Sequence, residues 1–432
     1  MSHVLSCLLR CDSAVPVFSS SHVILMLQPW RLLRHAPSAT NGQIRGIADA
    51  RPFAPGDLAL LRPTNSRSAA PLLTKPLTPG HRIDTHRGGL LHADIIGKRV
   101  RDVVRTSAGR LPSAEYRLHE VKLEEYVRYV RRLVTPLYPQ DAQVIVALMD
   151  LHPEGPSWSG DRGPEEGQRL ERLEILEAGT GHGALTLYLS RAIHAANRPF
   201  PRHGKETVEE EDHVAIDAWK ASRRAVIHTV EVSPRYSAHA QKIVTGFRHG
   251  MYAHNVDFHV GNVSEWTSST LAHRGGAPFL SHAFLDLPGT EDHLPAVSSA
   301  LRTDSTLIVF CPSITQIMAC LSTVKADGLP LELETVIELG VNGGTGGREW
   351  DVRAVKPRAA VKAAAAAEAR EDSGVEVSEG EADSVVAQKT QSNDDGWKMV
   401  CRPKVGEMVV GGGFLGVFRK QRIFCKGSED LD

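Results

Sequence analysis

Two kinds of apolar pattern alternate in the second half of the chain. Short segments rich in apolar residues predict strands at residues 173–178, 226–231, 256–260, 282–287 and 305–311. Between them, apolar residues recur at helical spacing and predict helices, over residues 184–196 and 235–247, between the last two strands, and over residues 314–326. Further strands are expected near residues 331–339 and 413–418. This alternation predicts an α/β fold in which helices cover both faces of a parallel sheet.

The first part of the chain carries a different pattern. Between residues 53 and 120, Gly and Pro interrupt short β segments, which predict a small N-terminal β domain with strands over residues 57–61, 89–96 and 99–106. Two helices are expected next, over residues 123–134 and 141–151, with Asp141 as the N-cap of the second. The chain is therefore expected to join a small β domain to a larger α/β domain.

Composition divides the chain further. Residues 1–55 hold two acids, Asp12 and Asp49, against five arginines, which is typical of a mitochondrial transit peptide, although a simple disordered tail has the same composition. Residues 355–395 predict a disordered acidic insertion, because they carry too few large apolar side chains to offset the entropy of ordering. A second charged insertion is expected over residues 199–224. The expected units are a targeting segment, a β domain, an α/β domain, the acidic insertion and a tail, at residues 1–52, 53–120, 121–354 with 396–420, 355–395 and 421–432.

Composition also limits the function classes. No apolar run reaches the roughly 18 residues that a membrane-spanning helix needs, which excludes an integral membrane protein. The six cysteines form no CxxC pair and no His/Cys metal spacing, so neither a metal site nor a disulfide framework is expected. Between Arg62 and Arg132 there are 15 Lys and Arg residues against seven acids. That excess predicts either a surface that meets phosphate or an ordinary solvated face.

A glycine-rich turn stands where the first strand of the α/β domain meets its helix. It reads Leu176-Glu177-Ala178-Gly179-Thr180-Gly181-His182-Gly183. Glycines there let the backbone turn tightly and approach a ligand without Cβ clashes. The turn also fits the dinucleotide fingerprint of a dehydrogenase if Ala184 stands for the third glycine. Glu177 favours S-adenosylmethionine, because a carboxylate suits a cationic sulfonium ligand better than an anionic pyrophosphate.

Polar residues also end the next three strands. The Glu231 carboxylate can accept both ribose hydroxyls of an adenosine-containing cofactor, or it is simply an exposed strand-end acid. Asn262 and Val263 follow the third strand, and the Asn262 carbonyl is expected to accept from the cofactor's adenine amino group. Asp286, followed by Leu287 and Pro288, ends the fourth strand and is a candidate catalytic group; its alternative role is to cap the next turn.

These motifs together resemble the catalytic subunit of the tRNA (adenine(58)-N(1))-methyltransferases, which are class I S-adenosylmethionine-dependent methyltransferases. The resemblance runs from about residue 53 to residue 418. It rests on the glycine-rich turn and on five further motifs in the right order: His92-Ala93-Asp94-Ile95-Ile96-Gly97-Lys98, Glu124-Glu125-Tyr126-Val127, Tyr138-Pro139-Gln140-Asp141, Asp286-Leu287-Pro288 and Arg348-Glu349-Trp350-Asp351-Val352-Arg353. The chain departs from the family where His182 and Ala184 replace two serines and Asn262 replaces the common Asp.

The resemblance implies a Rossmann-like class I methyltransferase sheet beside the small N-terminal β domain. It implies S-adenosylmethionine as methyl donor and N1 of adenine 58 in tRNA as acceptor. Asp286 would accept a hydrogen bond from the exocyclic amino group of the base and stabilise the cationic product, and Tyr138 would line the pocket of the base. The implied cofactor-binding residues are Glu177, Gly179, Thr180, Gly181, Gly183, Ala184, Glu231, Asn262, Val263 and Asp286.

The resemblance further implies a tetramer, formed by this chain alone or with a non-catalytic partner subunit. It makes the nucleus the alternative to the mitochondrion. Three other functions stay open at this point: a non-catalytic tRNA-binding subunit, a class I methyltransferase with another substrate, and a dehydrogenase.

Overall fold

The computed structural model describes residues 51–65, 69–107, 112–155, 171–200, 210–340, 350–355, 398–403 and 412–422. The expected targeting segment (1–52), most of the acidic insertion and the tail therefore lie almost wholly outside the described residues. No described helix is long and apolar enough to cross a membrane.

Six short strands make up the N-terminal part. They are β1 (Ala59–Pro63), β2 (Leu72–Leu73), β3 (Arg82–Thr85), β4 (Gly88–Leu91), β5 (Val103–Arg105) and β6 (Glu115–Glu120). Four of them form an antiparallel sheet in the order β2-β1-β6-β5, and β3 pairs with β4 in a hairpin. One face of this part has its own apolar core, which includes Leu61, Leu90, Ile95 and Leu118. Leu60 on the other face packs into the core of the larger part.

Two of the expected N-terminal strands are shorter than predicted. The strand expected over residues 89–96 ends at Leu91, because His92–Asp94 form a 3-10 turn. The His92 ring accepts from the Thr78 amide at 2.9 Å and the Asp94 carboxylate from the Leu91 amide at 3.3 Å, which fixes that turn. The strand expected over residues 99–106 is reduced to β5, because the chain first turns at Arg101, which has a φ of 80°.

Helices α1 (Leu123–Tyr129) and α2 (Pro139–Met149) connect the two parts. The first ends five residues before its predicted end, since Val130 is already extended. The second begins earlier than predicted, with Tyr138 as N-cap and Pro139 in the first turn, where its missing N–H costs nothing. Asp141 is therefore not the N-cap; it lies buried inside the first turn.

The larger part is a seven-stranded sheet with helices on both faces. Along the chain its elements are β7 (Leu173–Ala178), α3 (Ala184–Ile193), α4 (Glu210–Ala221), β8 (Ala225–Glu231), α5 (Pro234–Gly246), β9 (Val256–Val260), α6 (Val263–His273), β10 (Leu280–Leu285), α7 (Thr290–Ala300), β11 (Leu301–Cys311), α8 (Ile314–Ala326) and β12 (Leu331–Leu339). The hairpin of β13 (Trp350–Val355) and β14 (Lys398–Pro403) precedes the last strand, β15 (Gly413–Lys420).

The strand order of the large sheet is β12-β15-β11-β10-β7-β8-β9. The five strands from β11 to β9 are parallel, as predicted, whereas β15 lies antiparallel to both β11 and β12. The α/β, Rossmann-like fold is thus confirmed, but a purely parallel sheet is wrong. Helix α4 falls inside the expected charged insertion, and the β13–β14 hairpin is a pair that the apolar pattern did not predict.

Candidate functional site

A cleft lies at the carboxyl ends of β7, β8, β9 and β10. That is where ligands bind in open α/β sheets, and β7 and β10 are the neighbouring strands at which the chain order reverses. The cleft has a volume of about 240 Å³, close to the lower end of the range for small-molecule sites. Its lining residues are Gly179, Val230, Glu231, Val232, Gly261, Asn262, Val263, Asp286, Leu287, Pro288 and His293.

The glycine-rich turn packs too closely for side chains. Gly179, Gly181 and Gly183 have φ values of 87°, 52° and 79°, a region that favours glycine. A Cβ on Gly179 would overlap the backbone carbonyl oxygen of Asp286, and a Cβ on Gly183 would lie 3.2 Å from the Ala240 carbonyl oxygen. The turn thus brings β7, β10 and α5 together at the edge of the cleft.

Glu177 lies beneath this turn and not on the lining of the cleft. Its side chain is fully buried, and its Oε2 accepts hydrogen bonds from the hydroxyls of Thr186 at 2.6 Å and Thr229 at 2.8 Å. Burial raises the pKa of Glu177 to about 7, and the carboxylate of Asp286 adds to the rise although the two threonine hydrogen bonds oppose it. The position is therefore one where a bound cation would be stabilised more than in water.

Glu231 presents a fixed carboxylate to the cleft. Its Oε2 accepts from the Gly181 amide at 3.1 Å and its Oε1 from the Ser233 amide at 3.0 Å. The first bond ties the end of β8 to the glycine-rich turn, and the second joins the carboxylate to the N-cap of α5. Each carboxylate oxygen keeps a lone pair for one further donor, so the two vicinal hydroxyls of a ribose match this group.

Asn262 lines the cleft, but its carbonyl oxygen is already engaged. Its Oδ1 accepts from the amides of Ser264 at 2.8 Å and Glu265 at 3.3 Å and so caps helix α6. The expected hydrogen bond from an adenine amino group to this oxygen stays a prediction, and such a bond would have to share the oxygen with the cap of α6. The amide group of Asn262 remains available as a donor, and the adjacent Val263 offers apolar surface.

Asp286 stands at the end of β10, where its backbone amide donates to the Ala178 carbonyl at 2.9 Å. Burial raises the pKa of its carboxyl to about 6, and the nearby Glu231 carboxylate adds to the rise. Asp286, Glu231 and Glu177 thus form a group of three acids around one end of the cleft. Their mutual repulsion is relieved by a cation, which fits a sulfonium ligand and not a pyrophosphate.

The cleft accordingly fits an adenosine-containing cation such as S-adenosylmethionine. Gly179 leaves room for close approach of a ligand to the backbone, Glu231 matches a ribose, and Val232 and Val263 offer apolar surface to a flat base. Among the predicted cofactor residues, the structure brings Gly179, Glu231, Asn262, Val263 and Asp286 together on this lining. The other predicted cofactor residues lie in or beneath the turn and off the lining: Glu177, Thr180, Gly181, Gly183 and Ala184. Their direct contact with a cofactor stays a prediction.

Tyr138 lies off the lining as well. It is half-buried at the start of α2, and the guanidinium carbon of Arg132 lies 5.6 Å from the centre of its ring. Val134, four residues earlier, borders the glycine-rich turn, since its Cγ2 lies 3.8 Å from where a Cβ on Gly181 would be. Tyr138 therefore belongs to a segment that borders the turn, and its contact with a target base stays a prediction.

Sequence reasoning missed two lining residues with side chains that could contact a ligand. Val232 is 74% exposed. It directly follows Glu231, the acid predicted to bind the ribose, and this position in the sequence could have marked it as a lining residue. His293 lies in the first turn of α7, and its Nδ1 is 2.7 Å from the Ser264 hydroxyl. No local pattern marks His293, because only the packing of α7 against α6 brings it to the cleft.

His182, in the glycine-rich turn, faces away from the open cleft. It is 2% exposed, and neither ring nitrogen forms a hydrogen bond within the described part of the chain. Its ring centre lies 5.5 Å from that of His239 on α5. Burial lowers the pKa of His182 to about 4, with further contributions from His239 and Arg132. Within the described residues, no group of three or more His, Cys, Asp or Glu side chains is arranged to hold a metal ion.

Known proteins place the chain among methyltransferases. It is 30% identical over 268 residues to the tRNA (adenine(58)-N(1))-methyltransferase TrmI of one strain of Thermus thermophilus, over 62% of this chain and 78% of that protein. The TrmI protein of a second Thermus thermophilus strain matches with the same identity and coverage. No family model matches the chain.

Among solved structures, the S-adenosylmethionine-dependent O-methyltransferase of Thermotoga maritima superposes with a TM-score of 0.53. It is 16% identical, and the alignment covers 88% of this chain and 98% of that one, which supports the fold alone. The sequence likeness to the two TrmI proteins, by contrast, is nearly twice as high and extends over 78% of their length. The chain therefore belongs to the tRNA (adenine(58)-N(1))-methyltransferase family.

Proposed function

We propose that this protein transfers the methyl group of S-adenosylmethionine to N1 of an adenine in tRNA. One observation carries the proposal beyond family membership. A carboxyl group, Asp286, stands at the end of the fourth parallel strand inside the cleft, near Glu231 on the lining and the buried Glu177. Such a site suits the transfer of a methyl group from a cation to a base whose product is also a cation.

The chain's own residues would each carry part of the reaction. Glu231 binds the ribose, and the backbone of Gly179 allows close approach of the cofactor. When bound, S-adenosylmethionine supplies an electrophilic methyl group. The Asp286 carboxylate accepts a hydrogen bond from the exocyclic amino group of adenine, orients the base and stabilises the positive charge that develops on it. No strong base is needed, because N1 of adenine already has a lone pair.

Position 58 is the proposed target, since both Thermus relatives carry that position in their names. The test is methyl transfer from labelled S-adenosylmethionine to unmodified tRNA, followed by nucleoside analysis and by mapping of the modified position. The wild-type protein would be compared with Asp286→Ala, each alone and with candidate partner subunits. If the wild type forms 1-methyladenosine and Asp286→Ala does not, both the reaction and the role of Asp286 are supported. Binding of tRNA without methylation in every mixture would favour a non-catalytic subunit.

Assembly and location are part of the proposal. We propose a tetramer, of this chain alone or with a non-catalytic partner, which sedimentation of the purified protein with and without partner candidates tests. The excess of arginine over acids in residues 1–55 supports mitochondrial import. Fusion of residues 1–55 to a fluorescent protein tests import, and a nuclear signal would support the alternative.

A further inference from the structure

The connection between α1 and α2 brings two arginines to the outer side of the glycine-rich turn. Arg131 and Arg132 are exposed, and the connection holds against the turn through Val134 and against α5 through His239. Arg132 also reaches the Tyr138 ring, with 5.6 Å between its guanidinium carbon and the ring centre. These contacts place the connection beside the cofactor turn, and the Tyr138 ring positions the charge of Arg132.

Helix α5 continues this positive surface. Arg235, His239 and Lys242 are four and three residues apart and so share one face of the helix. Arg235 and Lys242 are exposed. The pKa of His239 is lowered by burial and further by the positive charges of Lys242, on the same helix, and of Arg131. We call Arg131, Arg132, Arg235 and Lys242 the cationic rim.

The charges of the rim are not neutralised by the described part of the chain. Arg62, Arg82, Arg105 and Arg128 each form an ion pair with a carboxylate, on Glu125, Asp84, Glu115 and Glu124 respectively. None of the four rim cations forms an ion pair with a described carboxylate. Four like charges on one surface are unfavourable without a counter-charge, and the three acids of the cleft lie on the inner side of the turn.

We propose that the cationic rim binds the phosphate backbone of the tRNA on either side of the target adenine. This rests on the proposed function. The positive charge of the rim favours binding of a polyanion such as tRNA. Because the rim lies beside Tyr138 and the glycine-rich turn, it would contact the phosphates next to the reacting base. The Tyr138–Arg132 pair adds an aromatic face on which an unstacked neighbouring base can lie. The rim thus positions the substrate and does not contact the reacting atoms.

The test is the salt dependence of tRNA binding, which counts phosphate contacts. Binding of unmodified tRNA to the protein loaded with S-adenosylhomocysteine would be followed by fluorescence anisotropy over a series of KCl concentrations on either side of physiological ionic strength. Each lost phosphate contact lowers the magnitude of the slope of log K against log [salt] by about 0.7–0.9. Two double variants, Arg131→Gln with Arg132→Gln and Arg235→Gln with Lys242→Gln, should each lower it by about 1–2. Their Kd at physiological salt should rise about tenfold or more.

The matched control is Lys325→Gln, an exposed cation in the last turn of α8, at the opposite edge of the sheet from the cleft. It should leave the slope unchanged. Affinity for S-adenosylhomocysteine and the far-ultraviolet circular dichroism of every variant should match the wild type, which separates a lost RNA contact from a damaged fold.

Three results would overturn the proposal. Unchanged slopes in both double variants, with 1-methyladenosine still formed, would leave the proposed function standing and place the phosphates elsewhere. A changed sedimentation coefficient with an unchanged slope would assign the rim to a protein partner. Failure of the wild type to form 1-methyladenosine in any mixture would remove the proposed function, and the rim's role in it.

Discussion

The backbone carbonyl oxygen of Asp286 occupies the place where a side chain on Gly179 would begin. The two strand ends are locked in that position, because the Asp286 amide donates to Ala178 and the Gly179 amide donates to Val230, each at 2.9 Å. The turn that approaches the cofactor and the carboxylate that meets the target base are therefore parts of one rigid arrangement. A substitution at either residue should therefore displace the other.

Replacement of Gly179 by Ala should damage both stability and cofactor binding. The methyl group would overlap the Asp286 carbonyl, and the φ of 87° is strained for any residue with a Cβ. We expect a loss of about 3 kcal/mol or more in the free energy of unfolding, of which about 1–3 kcal/mol comes from the backbone strain. Urea unfolding and calorimetric titration with S-adenosylhomocysteine would measure the two effects.

Gly80→Ala is the control for strain without overlap. Gly80 has a φ of 83°, and a Cβ there would meet no atom within 4 Å. Gly80→Ala should lower the free energy of unfolding only by the cost of the backbone strain. It should keep wild-type affinity for S-adenosylhomocysteine. Equal effects of the two substitutions would mean that the contact with Asp286 has no special role.

Much of the large sheet could be predicted because its strands are buried on both faces. Strand β11 is buried at five successive positions, residues 305–309, and its apolar run over residues 307–311 stands out from the polar residues before it. Strand direction has no such local sign, so β15 was expected as a strand but its antiparallel direction was not. The end of α1 was misplaced for a related reason: Val134 continues the helical spacing of apolar residues but lies beyond the helix, where it borders the glycine-rich turn.

The candidate site, too, could be predicted only in part from the sequence. Acids at strand ends could be predicted, because parallel strands bring their carboxyl ends to one edge and a carboxylate there has few structural uses. The engagement of the Asn262 oxygen with α6 depends on how one helix begins, and the arrival of His293 depends on how two helices pack. Both features depend on tertiary packing, which residue type and spacing along the chain do not predict.

The pH profile of methyl transfer should show the titration of Asp286. With a pKa of about 6, its carboxyl is ionised at alkaline pH and protonated in acid. Since only the carboxylate stabilises the cationic product, kcat/KM should rise with unit slope up to about pH 6 and then level off. Asp286→Asn keeps an acceptor oxygen but not the charge, so it should lower kcat by about 10²–10³-fold and remove this limb.

Single-turnover rates over a pH series that brackets this pKa, with subsaturating tRNA, would give the profile. Binding of S-adenosylhomocysteine at each pH serves as the control, because a loss of cofactor affinity could also produce an acidic limb. A limb that persists unchanged in Asp286→Asn would assign the titration to another group.

Asn262 should act first as a helix cap. Asn262→Ala removes the acceptor for the Ser264 and Glu265 amides and should lower the free energy of unfolding by about 1 kcal/mol. Asn262→Asp keeps the acceptor and places a negative charge at the start of α6, so it should preserve stability or raise it by about 0.5 kcal/mol. Ser313→Ala at the start of α8 is the control, with a similar loss of stability but no effect on cofactor affinity. Unchanged stability in Asn262→Ala would contradict the capping role.

Glu177 should destabilise the free protein at alkaline pH. Its pKa is about 7 in the folded state against an ordinary 4.5, so both states are protonated below pH 4.5 and the group has no effect there. As the pH rises from 4.5 through 7, the unfolded state gains from ionisation before the folded state does, and stability falls by about 3 kcal/mol. Glu177→Gln should therefore equal the wild type at acid pH and be more stable at alkaline pH. It should also bind S-adenosylmethionine less tightly relative to S-adenosylhomocysteine, which lacks the sulfonium charge.

Glu174, three residues earlier on the same strand, should behave in the opposite way and is the matched control. Burial opposes its ionisation, but hydrogen bonds from His228 and Arg274 outweigh burial and lower its pKa to about 2. Its contribution to stability is present above pH 4.5 and is lost as the pH falls through about 2. Glu174→Gln should thus lose about 3 kcal/mol at alkaline pH, where Glu177→Gln gains. Urea unfolding of both variants across the acid-to-alkaline range would measure this, and a shift of the same sign in the two would contradict the assigned environment of Glu177.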